Sequence, residues 1–315
     1  MRWKWIALVP PGTNIDFIGK RYWSLGLSIV LTVVSLVSIA VQGLNFGIDF
    51  KGGVLMDVKF VQAPDLSELR TKLSALNLGE ISLQEFGAPD DILIRVQTPE
   101  ESQQEQARII EAVRGAVGEG VDFRRTEFVG PKVGAELVRG GFLAMLFSLI
   151  GISVYVWFRF EWQFGVGALV STIHDIVTTV GLFSLFQIDF SLTTVAAVLT
   201  IAGYSVNDTV VIYDRIRENM RKYKKMPITE LINRSNNETL ARSVITHLTT
   251  LLAVLALLFF GGEVIRGFSI AMVWGIFVGT YSSVFVAVPV LVYLKLRPDT
   301  GAPPGDEAAA ARETA

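Results

Sequence analysis

The stretch that decides the fold is residues 192–213, which reads LTTVAAVLTIAGYSVNDTVVIY. As a helix it is long enough to cross the hydrocarbon core of a bilayer, which is about 30 Å thick. It nevertheless carries Asp208 near its end. An ionisable side chain inside a span costs about 2.5–3.5 kcal/mol on insertion scales, so its presence there indicates function. The stretch predicts an integral membrane protein with a functional carboxylate inside the bilayer.

Five more apolar stretches qualify as spans, which makes six in total. They are residues 22–41, 141–158, 164–186, 244–261 and 267–294. The composition agrees, because 18% of the residues are charged against roughly 25% in a typical soluble domain. The first stretch has some features of a secretory signal peptide. We interpret it as an uncleaved anchor, because its apolar run is longer than the usual signal core.

Composition also argues against several functions. The net charge of −2 provides no global positive field for nucleic acid, so we expect no nucleic-acid partner. The absence of Cys removes disulfides, thiolate metal sites and a Cys nucleophile, and two His residues offer little for a zinc site. We therefore expect no cofactor and no metal, and a protein that is not an enzyme.

The distribution of Lys and Arg predicts the orientation in the membrane. Eight of them lie between Arg215 and Arg242, and none lies in residues 187–189. By the positive-inside rule we expect a cytoplasmic N-terminal segment (1–21), a first span (22–42) and an extracytoplasmic domain (43–137). Spans two to six follow within 138–297, with a basic cytoplasmic loop at 214–242 and a disordered cytoplasmic tail at 298–315. Both chain ends are then cytoplasmic.

The extracytoplasmic domain has the pattern of a small α+β fold. Alternating apolar residues predict strands at 54–61, 80–86, 91–97 and 121–129, with a turn at 87–90. Helical spacing predicts helices at 65–76, with Pro64 and Asp65 as start signals, and at 99–117, opened by Thr98. The order strand, helix, strand, strand, helix, strand is that of a ferredoxin-like domain.

Three predicted spans carry polar stripes that would enclose a polar interior. Span three has His174 and Asp175; span four has Thr200, Tyr204, Asn207 and Asp208; span five has Arg242, Thr246 and His247. At 1.5 Å per residue, Asp208 lies roughly 7 Å from the cytoplasmic end of its span, and Arg242 begins the next span on that side. We therefore predict that the two meet at one depth. Their pair is either a functional proton site or a static ion pair, and Arg242 alone is also explained as a flanking positive-inside anchor.

Four separated blocks resemble one known family. They are NIDFIGKR at 14–21, GLNFGIDFKGG at 43–53, VGPKVGAEL at 129–137 and GYSVNDTVVIYDRIREN at 203–219. Each block lies beside a predicted span or at its end. Together the blocks resemble the SecF family, accessory membrane subunits of the bacterial Sec protein-export machinery. One departure is Lys51 and Val54, where many relatives carry Thr.

The resemblance implies partners and residue roles that spacing does not show. It implies pairing with SecD in a twelve-span assembly of the resistance-nodulation-division type, and work beside the SecYEG channel and the ATPase SecA on a preprotein. It implies a role for Asp208 and Arg242 in proton passage, in the bacterial inner membrane. A proton-coupled small-molecule antiporter of the same superfamily and a structural scaffold for SecD remain as alternative functions.

Overall fold

The structure is a computed structural model that describes residues 9–10, 12–97, 103–118 and 120–296. Within these residues, six helical segments are long and apolar enough to cross a membrane. They are α1 (Arg21–Gln42), α5 (Pro131–Arg159), α6 (Trp162–Leu185), α7 (Leu192–Lys222), α8 (Ile228–Phe260) and α9 (Arg266–Ser282) with its continuation. That continuation is a π-helical turn (Ser283–Ala287) followed by α10 (Val288–Tyr293). The six predicted spans are all present.

The sequence predicts a basic loop at 214–242, and this prediction is wrong because most of the segment is helix. Helix α7 continues to Lys222 and α8 begins at Ile228, so only a short turn connects them. The extension is amphipathic: Ile216, Leu231 and Ile232 are buried in the hydrophobic core while the basic side chains face outward. This apolar stripe keeps the two helices together along the segment.

Residues 53–129 form the sheet domain, a four-stranded antiparallel sheet covered on one face by two helices. Its strands are β1 (Gly53–Lys59), β2 (Ile81–Phe86), β3 (Ala88–Val96) and β4 (Asp122–Val129), in the order β2-β3-β1-β4. Helices α3 (Leu66–Ser74) and α4 (Gln103–Val117) pack on it around a core that includes Val54, Ile94 and Val113. The predicted ferredoxin-like fold is confirmed.

Local details near the sheet domain differ from the prediction at two places and agree at a third. The turn predicted at 87–90 is narrower, because β3 already begins at Ala88 and Gly87 alone takes a positive φ of 89°. Asp65 caps α3 as predicted, accepting hydrogen bonds from the backbone of Ser67 and Glu68. A short helix that was not predicted, α2 (Ile48–Lys51), precedes β1. Thr98 and the tail 298–315 lie outside the described residues.

Small residues set the closest approaches between spans. Helix α1 buries Ser24, Ser28, Ser35 and Ser38, and it packs on α6, where a side chain at Gly181 would collide with Ser35. Gly275 and Gly279 of α9 lie against Ile201 and Ser205 of α7. The serine stripe and the GxxxG pair therefore serve packing within this chain, as small residues do in membrane bundles.

The two ends of the bundle carry different attachments. At one end, the sheet domain contacts the α6–α7 turn through an ion pair between Arg95 and Asp189. At the other end, the segment before α1 lies on the start of α8: the side chain of Asn233 accepts hydrogen bonds from the backbone of Phe17 and Ile18, at 2.9 and 3.0 Å. The same side chain donates to Asp16, and this hydrogen bond lowers the pKa of that exposed carboxyl.

Candidate functional site

Asp208 is buried where three helical elements meet. Its side chain is only 7% exposed, and each carboxylate oxygen accepts one hydroxyl hydrogen bond. Ser243 of α8 donates to Oδ1 at 2.6 Å, and Ser283 of the π-helical turn donates to Oδ2 at 2.7 Å. Two serine hydroxyls therefore solvate the carboxylate in place of water.

Arg242 does not meet Asp208, so the predicted pairing is absent from this structure. Arg242 is exposed, and within the described residues no ion pair to it is found. The physical reason is helix geometry: neighbouring residues are turned by about 100° around a helix axis. Because Ser243 faces α7, Arg242 is directed away from the carboxylate.

His247 and Tyr204 adjoin Asp208. His247 is one turn after Ser243 on α8, is 5% exposed, and its Nδ1 lies 2.6 Å from the carbonyl oxygen of Ser243. Its Nε2 is buried without a hydrogen-bond partner in the described structure. The Tyr204 ring lies edge-on to the imidazole, with ring centroids 5.3 Å apart. Tyr204 and His247 therefore lie beside Ser243, the hydroxyl partner of Asp208.

Asp175 forms a second buried carboxylate centre on α6. Its exposure is 0%. Oδ2 accepts hydrogen bonds from Ser205 of α7 at 2.5 Å and from Ser282 of α9 at 2.7 Å, and Oδ1 lies 3.0 Å from His174 Nδ1. The His174 and Asp175 side chains are thus in contact with each other and with two more helices.

The remaining predicted residues lie on an exposed face of the bundle. Thr200 and Asn207 of α7 are exposed, as are Arg242 and Thr246 of α8. The hydroxyls of Thr200 and Thr246 donate back to their own helices, to the carbonyl oxygens of Ala196 and Arg242. We name these four residues the polar face. They do not line the enclosed interior that their spacing predicts.

Sequence reasoning missed the four serines that hold the carboxylates: Ser205, Ser243, Ser282 and Ser283. A lone Ser in a span commonly bonds back to its own helix and carries little information. The available signal was the adjacent pair Ser282-Ser283 inside an otherwise apolar run. The π-helical turn that begins at Ser283 is a rare conformation that is frequent at functional sites.

The junction between the sheet domain and the bundle involves the start of α7. Asp49 of α2 accepts a hydrogen bond from the Leu192 backbone at 2.9 Å, at the helix end where negative charge is favourable. Phe46 and Phe190 form an isolated parallel bridge. Burial lowers the pKa of Arg95 to about 10, which leaves it charged at neutral pH beside Asp189. The helix that carries Asp208 is therefore tied at its first turn to α2, the short helix that leads into the sheet domain.

The fold and the site together define a class: a multi-pass membrane protein with carboxylates buried in a helical bundle and a ferredoxin-like domain at one end. The family "Protein export membrane protein SecD/SecF, C-terminal" matches residues 109–297, and the "SecD/SecF GG Motif" matches residues 37–64. The chain belongs to the SecD/SecF family of protein-export membrane proteins. Its function class is that of an accessory subunit of the Sec protein translocase.

Individual relatives agree with this assignment. The chain is 48% identical to "Protein translocase subunit SecF" of Rickettsia rickettsii (strain Sheila Smith) over 91% of its own length and 94% of the relative's. The SecF subunit of Rickettsia conorii (strain ATCC VR-613 / Malish 7) is equally similar. The crystal structure of SecDF from Thermus thermophilus, a translocon-associated membrane protein, matches with a TM-score of 0.83 and 36% identity. That match covers 91% of this chain but only 39% of the SecDF chain.

Proposed function

We propose that the chain works with SecD to use the proton motive force for moving preprotein at the outer face of the membrane. The observation that carries the proposal is the position of Asp208. Its carboxylate is buried between two hydroxyl donors, and a cation is adjacent in sequence to one of those donors. Arg242 directly precedes Ser243, the partner of Asp208. A rotation of α8 by about 100°, the angle between neighbouring residues of a helix, would exchange the hydroxyl for the guanidinium.

The hydroxyl environment of Asp208 is compatible with both protonation states. A serine hydroxyl donates one hydrogen bond and accepts others, so it can serve an ionised carboxylate or a protonated carboxyl. Burial disfavours a charge, and a nearby cation favours the ionised form. Bringing Arg242 to Asp208 would therefore promote proton release, and moving it away would permit uptake.

The energy available is sufficient to bias a conformational equilibrium. One proton moving inward through 100 mV releases about 2.3 kcal/mol. Helix α7 connects Asp208 to the junction with the sheet domain, through Asp49 and the Arg95–Asp189 ion pair. A shift of α7 caused by protonation would be passed to the sheet domain, where an emerging preprotein would be handled. No covalent bond is made or broken, so the chain is not an enzyme in this scheme.

The polar face supports a second membrane subunit as partner. Lipid satisfies the polar groups of an Arg and an Asn within a span poorly, and such side chains normally face protein or a water-filled cavity. The chain corresponds to 39% of the SecDF chain, which leaves the larger part of such an assembly to another subunit. We assign the polar face to SecD, with the SecYEG channel and SecA acting in the same pathway on the preprotein.

Replacing Gly203 by Leu should prevent stable association with SecD. Gly203 is exposed between Thr200 and Asn207 on α7, and a side chain added there meets nothing within 4 Å in this chain. A bulky residue would hold the two subunits apart without disturbing the fold. The measurement is recovery of SecD with the tagged chain in mild detergent. Gly151→Leu on α5, which also has open space, is the matched control. Equal SecD recovery with both variants would argue against this assignment.

We assign the chain to the bacterial inner membrane, with the sheet domain outside and the α7–α8 turn in the cytoplasm. The structure supports one consistent orientation, because the sheet domain and the basic α7–α8 extension lie at opposite ends of the bundle. In this Cys-free chain, Ser67→Cys should react with a membrane-impermeant thiol reagent in intact cells, and Lys224→Cys should react only after permeabilisation. The reverse labelling pattern would invert the topology.

The direct test of the proton role is gradient-dependent preprotein translocation by an Asp208→Asn variant in inverted membrane vesicles. The antiporter function has no comparable support, because the family match is to protein-export proteins.

A further inference from the structure

We infer that His174 and Asp175 form a second proton-binding site, on the outer-domain side of Asp208 and linked to it through adjacent serines. This inference rests on the proposed proton role of Asp208 and extends it to a group on another helix. Here the outer-domain side means the end of the bundle that contacts the sheet domain.

The first support is the environment of Asp175. The carboxylate is wholly buried in a span, and its oxygens contact two serine hydroxyls and one imidazole. Within the described residues, no Lys or Arg pairs with it. Hydroxyl and imidazole groups can each donate or accept, so this shell can serve a protonated or an ionised carboxyl. A permanently ionised structural Asp would be expected to have a cation partner.

The second support is the unused nitrogen of His174. This side chain is 6% exposed, and its Nε2 is buried without a hydrogen-bond partner in the described structure. A buried polar atom without a partner normally costs about 1–3 kcal/mol. In this position Nε2 can receive a proton while Nδ1 remains in contact with Asp175. The pair therefore has one proton-accepting atom that no hydrogen bond occupies in the described structure.

The third support is the connection to Asp208. Ser282 donates to Asp175 and the next residue, Ser283, donates to Asp208. On α7, Ser205 donates to Asp175 and lies three residues before Asp208. The two carboxylates are therefore linked twice: along α7, and through the adjacent residues Ser282 and Ser283. The π-helical turn begins at Ser283. A change of protonation at one carboxylate reorients the serine that is hydrogen-bonded to it. The next serine in the chain is hydrogen-bonded to the other carboxylate.

The relative depth of the two sites follows from α7. This helix begins at Leu192 beside the sheet domain, so Ser205 is nearer that end than Asp208 by three residues. At 1.5 Å per residue the difference is about 4.5 Å, close to one turn. In the proposed orientation, a proton moving inward reaches His174 and Asp175 before Asp208.

Few other titratable groups face the pair. On α7 the titratable groups near Ser205 are Tyr204 and Asp208, and on α9 it is Tyr281, whose ring centroid is 6.4 Å from that of His174. The phenol of Tyr281 donates to the Ser24 carbonyl oxygen of α1 at 2.5 Å. The charged residues of α1 and α5 lie towards the helix ends: Arg21, Lys132, Glu136, Arg139 and Arg159. The turn Ser283–Ala287 has none, and α10 has only Tyr293.

The test is infrared difference spectroscopy of the purified full chain in lipid, titrated with pH. The carbonyl stretch of a protonated carboxyl reports each buried Asp, and subtracting a variant's spectrum isolates one group. In the Asp208→Asn background we expect a remaining pH-dependent band that is lost when Asp175→Asn is added. An unchanged spectrum on adding Asp175→Asn would overturn the inference. Because this comparison lacks Asp208, it does not depend on whether Asp208 carries protons.

A second variant guards against misfolding of Asp175→Asn. Ser282→Ala keeps the carboxyl and removes one hydrogen bond to it, so the Asp175 band should shift in frequency. Ser269→Ala is the matched control, since Ser269 is also a fully buried serine of α9 but donates to the carbonyl oxygen of Ile265, directly before the same helix. His174→Gln should displace the titration of the Asp175 band along the pH axis. If Ser282→Ala and His174→Gln gave the same band and the same titration as Ser269→Ala, the band would not come from Asp175 and the inference would be overturned.

Discussion

Replacing Asp208 by Asn should abolish the gradient-dependent part of preprotein translocation while the subunit still folds and assembles. Asn can still accept a hydrogen bond from Ser243 or Ser283, but it cannot take up and release a proton. The loss expected is the whole contribution of the gradient, to which each proton adds about 2.3 kcal/mol per 100 mV. The measurement compares translocation into inverted vesicles with and without a gradient, alongside the amount of assembled complex.

Asp214→Asn is the matched control, because Asp214 lies on the same helix and pairs with Arg159 at an exposed position. It should leave translocation unchanged. Arg242→Lys keeps the charge but loses the planar fork, so partial impairment is expected. A wild-type rate of gradient-dependent translocation with Asp208→Asn would refute the proton role.

The double variant Asp208→Asn with Arg242→Gln separates the proton role from a static ion pair. If the two residues only neutralised each other, removing both charges would restore function. The proton role predicts no rescue. The structure already weakens the static explanation, since Ser243 and Ser283 occupy both oxygens of Asp208 and Arg242 is exposed.

Replacing Gly53 by Ala should strongly destabilise the sheet domain. Gly53 begins β1 at φ +120°, a conformation that side chains rarely adopt, and a Cβ there would collide with the carbonyl oxygen of Val96. Backbone strain of this kind costs about 1–3 kcal/mol. Hydrogen exchange of the full chain, followed by mass spectrometry, should show faster exchange in β1 and β3, roughly tenfold for each 1.4 kcal/mol lost.

Gly115→Ala provides the control for this experiment. Gly115 lies within α4 and has open space for a Cβ. Ala favours helix by about 0.8–1.0 kcal/mol relative to Gly, so exchange in the sheet domain should be unchanged or slower. If Gly53→Ala exchanged like wild type, the glycine would not be required by the backbone at this position.

Lys51 and the two glycines after it differ in how much of their role the structure explains. It ends α2, beside the two glycines Gly52 and Gly53, and its side chain is exposed. Both glycines take positive φ, 74° and 120°. The requirement for glycine is therefore explained by the backbone, and nothing in the structure explains the Lys at position 51.

Periodicity and composition were sufficient for the architecture of this protein. The six spans and the ferredoxin-like order of the sheet domain are each set by the local alternation of apolar and polar residues, which acts over a few residues at a time. Asp65 as a helix cap is equally local, because its side chain reaches only the next backbone amides. The candidate residues Asp208, Asp175 and His174 were also visible in the sequence, since an ionisable group in an apolar run is unusual by itself.

Only the tertiary structure decided which side chains meet. Arg242 and Ser243 are neighbours in sequence, yet the rotation of α8 places Ser243 on Asp208 and leaves Arg242 exposed. The depth of a residue along a span follows from counting residues. The direction in which its side chain points around the helix axis depends on how the six helices pack. Small residues such as Gly181 and Gly275 set that packing. The serines that join the two carboxylates come from distant parts of the chain. For this reason the sequence determined where the charges lie, and the packing of the bundle decided what holds them.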